Sequence, residues 1–247
     1  MASNTHSAGA RSGALTLSPR LAFLAGWVPA GARLADIGTD HAYLPVWLDI
    51  HGQVQSAIAA DLRPGPLERA RETGRRYGAR HVDFRLCDGL SAISAEECDT
   101  IVIAGMGGEN TAQILMHAPW TADGRHTLLL EPHSRAEVLR GFLAENGYAI
   151  RREALIRDRG FLYPVMEVTA GKMTLSPGQL YCGAKLLHDP LGDRYIIERI
   201  IQLQGIVAGK SRSASPEDRA HADRQRTLIT ELLTMREEWR HANCKGN

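Results

Sequence analysis

The chain has 247 residues, 44% of them hydrophobic and 23% charged, and carries a formal net charge of +1. That length and composition suit one α/β domain with an appendage and exclude wholesale disorder. No apolar run approaches the roughly 18 residues of a membrane span, and the near-neutral balance does not by itself announce nucleic acid.

Residues 1–16 are small and polar with no apolar core segment, so they are expected to form a disordered tail rather than a signal peptide. Cys87, Cys98, Cys182 and Cys244 are scattered without a Cys-x-x-Cys pair. This spacing speaks for a reducing, cytoplasmic setting and against a disulfide framework or a metal site.

Ser18-Pro19 opens a first helix as N-cap and N1, and the helix runs to about Gly26 with Leu21 and Leu24 on one stripe. Arg33 to Ile37 reads as a buried strand, Gly38 as a tight turn, and Tyr43 to His51 as a helix ended by Gly52. Gln55 to Ala60 is a second strand with Asp61 at its end. Arg63-Pro64-Gly65-Pro66 turns into a helix from Leu67 to Tyr77. His81 to Leu86 is a third strand, followed by Cys87-Asp88-Gly89. Asp99 to Ala104 is a fourth, followed by Gly105-Met106-Gly107-Gly108 and a helix from Glu109 to His117. Thr127 to Leu130 is a fifth strand, and Arg135 to Asn146 a helix closed by Gly147. Tyr148–Arg157 and Phe161–Thr169 then form a hairpin across Asp158-Arg159-Gly160.

This alternation predicts a doubly wound α/β domain over residues 17–171, with the hairpin at one sheet edge. From residue 172 the texture changes. Ser176-Pro177 starts a short helix, Leu191 to Ala208 forms an amphipathic one, and Ser215-Pro216 caps a last helix to about His241. Residues 172–247 therefore read as an antiparallel helical hairpin domain.

A strand, a glycine and a helix opening make a nucleotide-binding start, yet the second glycine of a dinucleotide fingerprint is replaced by Asp40, beside His41. A carboxylate there repels a pyrophosphate and tolerates a cation. S-adenosylmethionine carries a sulfonium and an ammonium and no phosphate, so the pattern favours a methyltransferase over a dehydrogenase. Asp36 with Gly38, then Asp61, then Asp88 with Gly89 stand at three successive strand ends. This is the order expected for contacts to the methionine, ribose and adenine of that donor. The alternative for each acid is a local cap. Asp40 either handles charge or a proton at the acceptor base, or caps the following helix. Ala104, Gly105 and Met106 offer backbone groups and space to the donor, or only a tight helix entry.

Leu17-Ser18-Pro19-Arg20-Leu21, Ala35-Asp36-Ile37-Gly38-Thr39-Asp40-His41-Ala42-Tyr43-Leu44-Pro45, Asp88-Gly89-Leu90 and Ile103-Ala104-Gly105-Met106-Gly107-Gly108 together resemble the bacterial tRNA adenine-N1 methyltransferases of the TrmK type. The resemblance implies a Rossmann-like S-adenosylmethionine domain joined to a coiled-coil hairpin, acting on N1 of the adenine at tRNA position 22. It places Asp36, Gly38, Asp40, His41, Asp61, Asp88 and Gly89 with Ala104–Met106 on the donor side. Arg20, Gly107, Gly108 and His133 fall on the acceptor side. Glu131-Pro132-His133 stands where the family has Gln-Pro-Asn. Residues 172–247 hold 12 Lys and Arg against 9 Asp and Glu, so Arg212, Arg219 and Arg224 are candidate tRNA contacts. The rival readings are a methyltransferase for another RNA position or a small molecule, and a non-catalytic RNA-binding protein that keeps the fold.

Overall fold

The computed structural model describes residues 13–212 and 215–243. Most of the expected tail, part of the polar turn near residue 214, and Cys244 lie outside the described residues.

Five parallel strands form the body of the sheet: β1 (Ala32–Ile37), β2 (Val54–Asp61), β3 (Val82–Leu86), β4 (Thr100–Gly107) and β5 (Thr127–Ser134). The hairpin β6 (Tyr148–Asp158) and β7 (Phe161–Ala170) completes the order β3-β2-β1-β4-β5-β7-β6, with β7 antiparallel to both neighbours. Around it lie α1 (Pro19–Ala25), α2 (Tyr43–Ile50), α3 (Pro64–Tyr77), α4 (Gly108–Met116) and α5 (Ala136–Glu145). A shorter helix α6 (Pro177–Cys182) precedes the long pair α7 (Gly192–Lys210) and α8 (Pro216–Asn243).

The central strands are apolar throughout because helices cover both faces. Ile101, Ile103, Leu128 and Leu130 point to the face packed by Leu115, Leu139 and Leu143 of α4 and α5. Val102 and Leu129, one residue out of phase, pack with Leu24, Leu44 and Leu48 of α1 and α2. The strand order reverses between β1 and β4, which opens a crevice at the carboxyl ends of these strands.

Several boundaries differ from expectation, among them β5, which runs past Leu130 to Ser134 and so takes in Glu131 and His133. β4 does not stop at Ala104; it continues to Gly107 through register shifts on either side of Met106. α3 begins at Pro64 rather than Leu67, because prolines are tolerated in a first turn whose N–H groups have no partner anyway. Leu15 is buried beside Ala42, Val46, Ala59 and Ala70, so packed structure begins before Leu17.

The helical hairpin is rooted in the sheet. Leu155 and Leu162 of β6 and β7 share a core with Cys182, Tyr195, Ile196, Ile200, Leu203 and Leu232. Beside it, Arg140 of α5 and Glu153 of β6 form a fully buried ion pair at 2.8 Å. Arg140 also donates to the Leu180 carbonyl, and Glu153 accepts from the Ala184 and Lys185 N–H groups. Among the described residues no helix is long and apolar enough to cross a membrane, and no group of His, Cys, Asp and Glu has metal-binding arrangement.

Candidate active site

The crevice holds a cavity of about 580 Å³ lined by the loops after β1, β2, β3 and β4. Gly38, at φ +72°, floors it. That left-handed backbone favours glycine, and the end of the flexible Met106 side chain packs where a Cβ would stand. The Gly38 and Thr39 N–H groups donate to the Ala60 carbonyl and fold the loop over β2. Asp40 and Ala42 both adopt positive φ, so the loop reaches α2 through two left-handed residues. Ala42 is the N-cap of α2 and no side chain caps that helix, which rules out a capping role for Asp40.

Of the residues expected on the donor side, Gly38, Asp40, Asp61, Asp88, Gly89, Ala104, Gly105 and Met106 line this one cavity. Asp61 is buried, and its carboxylate accepts from the N–H groups of Arg63 at 2.9 Å and Asp40 at 3.3 Å. Each oxygen keeps a lone pair free for a ligand hydroxyl. Asp40 is half exposed at the rim, where its carboxylate accepts from Arg69 Nη2 at 2.7 Å.

Two residues expected on the donor side, Asp36 and His41, and two expected on the acceptor side, Gly107 and Gly108, do not line this cavity. Asp36 is buried beneath the loop and accepts the Thr39 hydroxyl at 2.5 Å, so it supports the loop and does not line the cavity. Burial raises its pKa to about 6 against the pull of Thr39, and Asp61 adds to the rise. His41 turns away to stack on Tyr43, with ring centroids 5.2 Å apart. Gly107 is the N-cap of α4, and Gly108 packs so tightly on the loop before α5 that a Cβ would sit 2.2 Å from the Arg135 carbonyl oxygen. The glycine-rich stretch thus divides: Gly105 and Met106 face the cavity, while Gly107 and Gly108 allow two chain segments to cross.

Sequence reasoning noted Glu131 only as a departure from the family's Gln and gave it no role. It is buried within β5, where Oε2 accepts the Gly105 N–H at 3.1 Å. Arg20 Nη1 donates to both of its oxygens at 3.2 Å and also touches His133 Nε2. Arg20 Nε donates to Asp158 at 3.1 Å, and the guanidinium lies 4.9 Å over the Tyr163 ring. Burial raises the Glu131 pKa to about 7, opposed by Arg20 and the Gly105 N–H. Burial and Arg20 both lower that of His133. The available signal was a carboxylate directly after Leu128-Leu129-Leu130 in a strand buried on both faces. Asn110 and Gln113, one turn apart on α4, also line the cavity at the β1/β4 crevice and were not foreseen.

Arg212, Arg219 and Arg224 lie on exposed positions around the free end of the helical hairpin and do not line the cavity. The other end is the root, where Trp239 Nε1 donates to the Asp189 carbonyl and Asp189 accepts the Leu155 N–H.

The residues present fit S-adenosylmethionine. Carboxylates on three sides suit a sulfonium and an ammonium and oppose a pyrophosphate. Asp61, with a lone pair free on each oxygen, suits a ribose diol.

A methyltransferase-domain family model matches residues 17–166. The chain is 35% identical over 177 residues to the tRNA (adenine(22)-N(1))-methyltransferase of Bacillus subtilis (strain 168), covering 71% of this chain and 74% of that protein. The crystal structure of the B. subtilis m1A22 tRNA methyltransferase TrmK superposes with a TM-score of 0.77 at 30% identity, covering 93% of this chain and 99% of that one. A putative tRNA (m1A22) methyltransferase of Streptococcus pneumoniae, in complex with S-adenosyl-L-methionine, superposes with a TM-score of 0.76 at 31% identity, covering 88% and 100%.

Proposed function

Because this chain belongs to the tRNA (adenine(22)-N(1))-methyltransferase family, we propose that it methylates N1 of the adenine at position 22 of tRNA, using S-adenosylmethionine. The observation that carries the reading is the acid-lined, phosphate-repelling cavity at the β1/β4 switch point. The same reading puts the enzyme in the cytoplasm, with tRNA as its macromolecular partner.

When bound, the donor supplies an electrophilic methyl group. N1 of neutral adenine already has a lone pair, so the protein needs no base to remove a proton first. Its main task is alignment, and holding two reactants in line is worth roughly 7–11 kcal/mol. In this reading Asp61 accepts the ribose hydroxyls and Asp88 faces the donor's adenine. Gly38, Gly105 and Met106 bring backbone close to the reacting centre. Asp40 stands on the donor loop, where a carboxylate favours the positive charge that forms on the base. Glu131 and Arg20 hold Gly105 in place from the acceptor side. Arg212, Arg219 and Arg224 would meet the tRNA backbone at the free end of the helical hairpin.

The test is to incubate unmodified total tRNA with labelled S-adenosylmethionine and map the modified nucleoside. 1-Methyladenosine at position 22 is the expected product; label at another position or in a small molecule supports the rival enzymes. Donor binding without turnover on any RNA would point to the non-catalytic reading.

A further inference from the structure

His133 is a wall between two cavities. A Cβ on Gly105, which lines the donor cavity, would lie 3.7 Å from the His133 ring. On the other side, His133 lines a second cavity of about 450 Å³, bounded by the end of β5, the start of β7, and α6 and α7.

This second groove is unusually aromatic. Tyr163 lies 4.9 Å from the His133 ring and Phe161 lies 6.4 Å from Tyr163, centroid to centroid. Phe161 and Tyr163 are two apart on β7 and so share one face. The three rings lead from the donor cavity to the hairpin tip. Phe161 is 66% exposed, an apolar ring left in water at the end of that path.

Arg199 of α7 lines the same groove. Its Nε is sealed from solvent and has no hydrogen-bond partner. Its guanidinium rests 5.2 Å from the Tyr195 ring, and no carboxylate pairs with it among the described residues. Neighbouring arginines have carboxylate partners, Arg135 with Glu137 and Glu109, Arg140 with Glu153, and Arg20 with Glu131, although Arg140 Nη2 is also sealed without a hydrogen bond. The sealed Nε is out of a ligand's reach, so the rest of the guanidinium, which has no carboxylate partner, is what a ligand in the groove would meet. An unmatched arginine beside a run of rings is the combination that a phosphate and a base satisfy together.

We propose that this groove holds the nucleotide next to the target adenine, with Arg199 on its phosphate and Phe161 and Tyr163 against its base. The inference rests on the tRNA reading above. Methylating N1 requires the base to leave its pairing partner, since N1 lies on the pairing edge, and the extruded nucleotide stays joined to its neighbour through the backbone phosphate. The groove begins where the donor cavity ends, so that neighbour arrives here.

The experiment uses the full-length protein, an unmodified tRNA transcript and labelled S-adenosylmethionine. Methylation of the transcript by the wild-type protein tests the underlying activity; if it is absent, that reading fails before the groove is tested. With activity in hand, R199Q and F161A should each raise KM for tRNA roughly tenfold, with calorimetric donor affinity and thermal midpoint unchanged. Arg199→Lys should recover part of the loss. Salt separates the two roles: R199Q should reduce the slope of log tRNA affinity against log salt by about 0.7–0.9, the share of one phosphate, and F161A should leave it alone. Unchanged KM in both variants overturns the proposal. A raised KM with an unchanged slope in R199Q overturns the phosphate assignment. Variants that alter the sedimentation of the free protein without altering KM would show an interface between copies instead.

Discussion

The carboxylate of Asp40 is held by the guanidinium of Arg69 at 2.7 Å, across 29 residues of sequence and at the rim of the donor cavity. Both side chains are about half exposed, so the pair contributes only about 0–1 kcal/mol to stability. Its effect is positional: the acid is steered toward α3. Asp40→Asn keeps the size and removes the charge. At saturating donor and tRNA, the single-turnover rate should fall by about 10²-fold or more if the carboxylate stabilises charge on the base. Arg69→Ala should change that rate by less than about fivefold. Wild-type turnover by Asp40→Asn would reduce Asp40 to a tether between loop and helix.

Asp61 is buried and already accepts two backbone N–H groups, so its geometry does not depend on the ligand. Asp61→Ala should weaken donor binding by about 1.5–3 kcal/mol, the worth of hydrogen bonds to a charged group. Isothermal calorimetry on the folded variant reads this directly. Equal affinity in the two proteins would take the ribose contact away from this residue.

Glu131 makes stability depend on pH. Its pKa is raised by burial from 4.5 in the ordinary state to about 7 in the fold. Between these values the native state binds the proton and the unfolded state does not, so stability falls as pH rises from about 4.5 to 7. Asp36, raised to about 6, has the same sign in its own lower window. His133, lowered by burial and Arg20, has the opposite sign near pH 6.5. Glu131→Gln leaves both in place. The difference between wild-type and Glu131→Gln thermal midpoints should therefore slope through this window and level off above it. Parallel profiles from pH 4.5 to 8 would mean that Glu131 is ionised throughout.

Arg140 and Glu153 are the joint between the methyltransferase unit and the helical hairpin. Glu153→Ala leaves a buried guanidinium without its counter-charge and should cost about 3–5 kcal/mol. Urea denaturation is the check, and a loss below about 1 kcal/mol would show that the cation finds another partner. Ending the chain after Ala170 should be worse, because it also uncovers Leu155 and Leu162.

Two glycines separate packing from propensity. Gly108→Ala drives a methyl group into the Arg135 backbone and should destabilise by about 1–3 kcal/mol or more. Gly141→Ala, in the interior of α5 with nothing within 4 Å of the new Cβ, should instead stabilise by up to about 1 kcal/mol. Thermal melts of the two variants should move in opposite directions.

Much of the donor side was readable because it follows local rules. Apolar runs ending in Asp61 or Asp88 are strands with an acid at the carboxyl end, and Gly38 marks the turn where backbone must come close. The Gly105–Gly108 stretch was readable only as a whole. Which glycine faces a ligand and which faces Arg135 depends on where α5 begins. The acceptor side was less legible because its residues meet from distant places: Arg20 reaches Glu131 over 111 residues and Asp158 over 138. Arg140 and Glu153 carry no sign of burial in the sequence, since each resembles any charged residue of a helix or an edge strand.

The position of β7 between β5 and β6 bears on the order in which the protein can be made. A chain emerging from the ribosome completes β1 to β5 by Ser134, and with them every loop that lines the donor cavity. Its fifth strand then has an open edge, because β6 is synthesised next but its neighbour in the sheet is β7. Arg20, translated well before either, has meanwhile no Asp158 to pair with and no Tyr163 to lie against. The donor half of the site is thus a product of early synthesis and the acceptor half of late synthesis. The two are fastened by one of the first side chains of the packed structure, so a nascent chain halted before Tyr163 would hold the first half without the second.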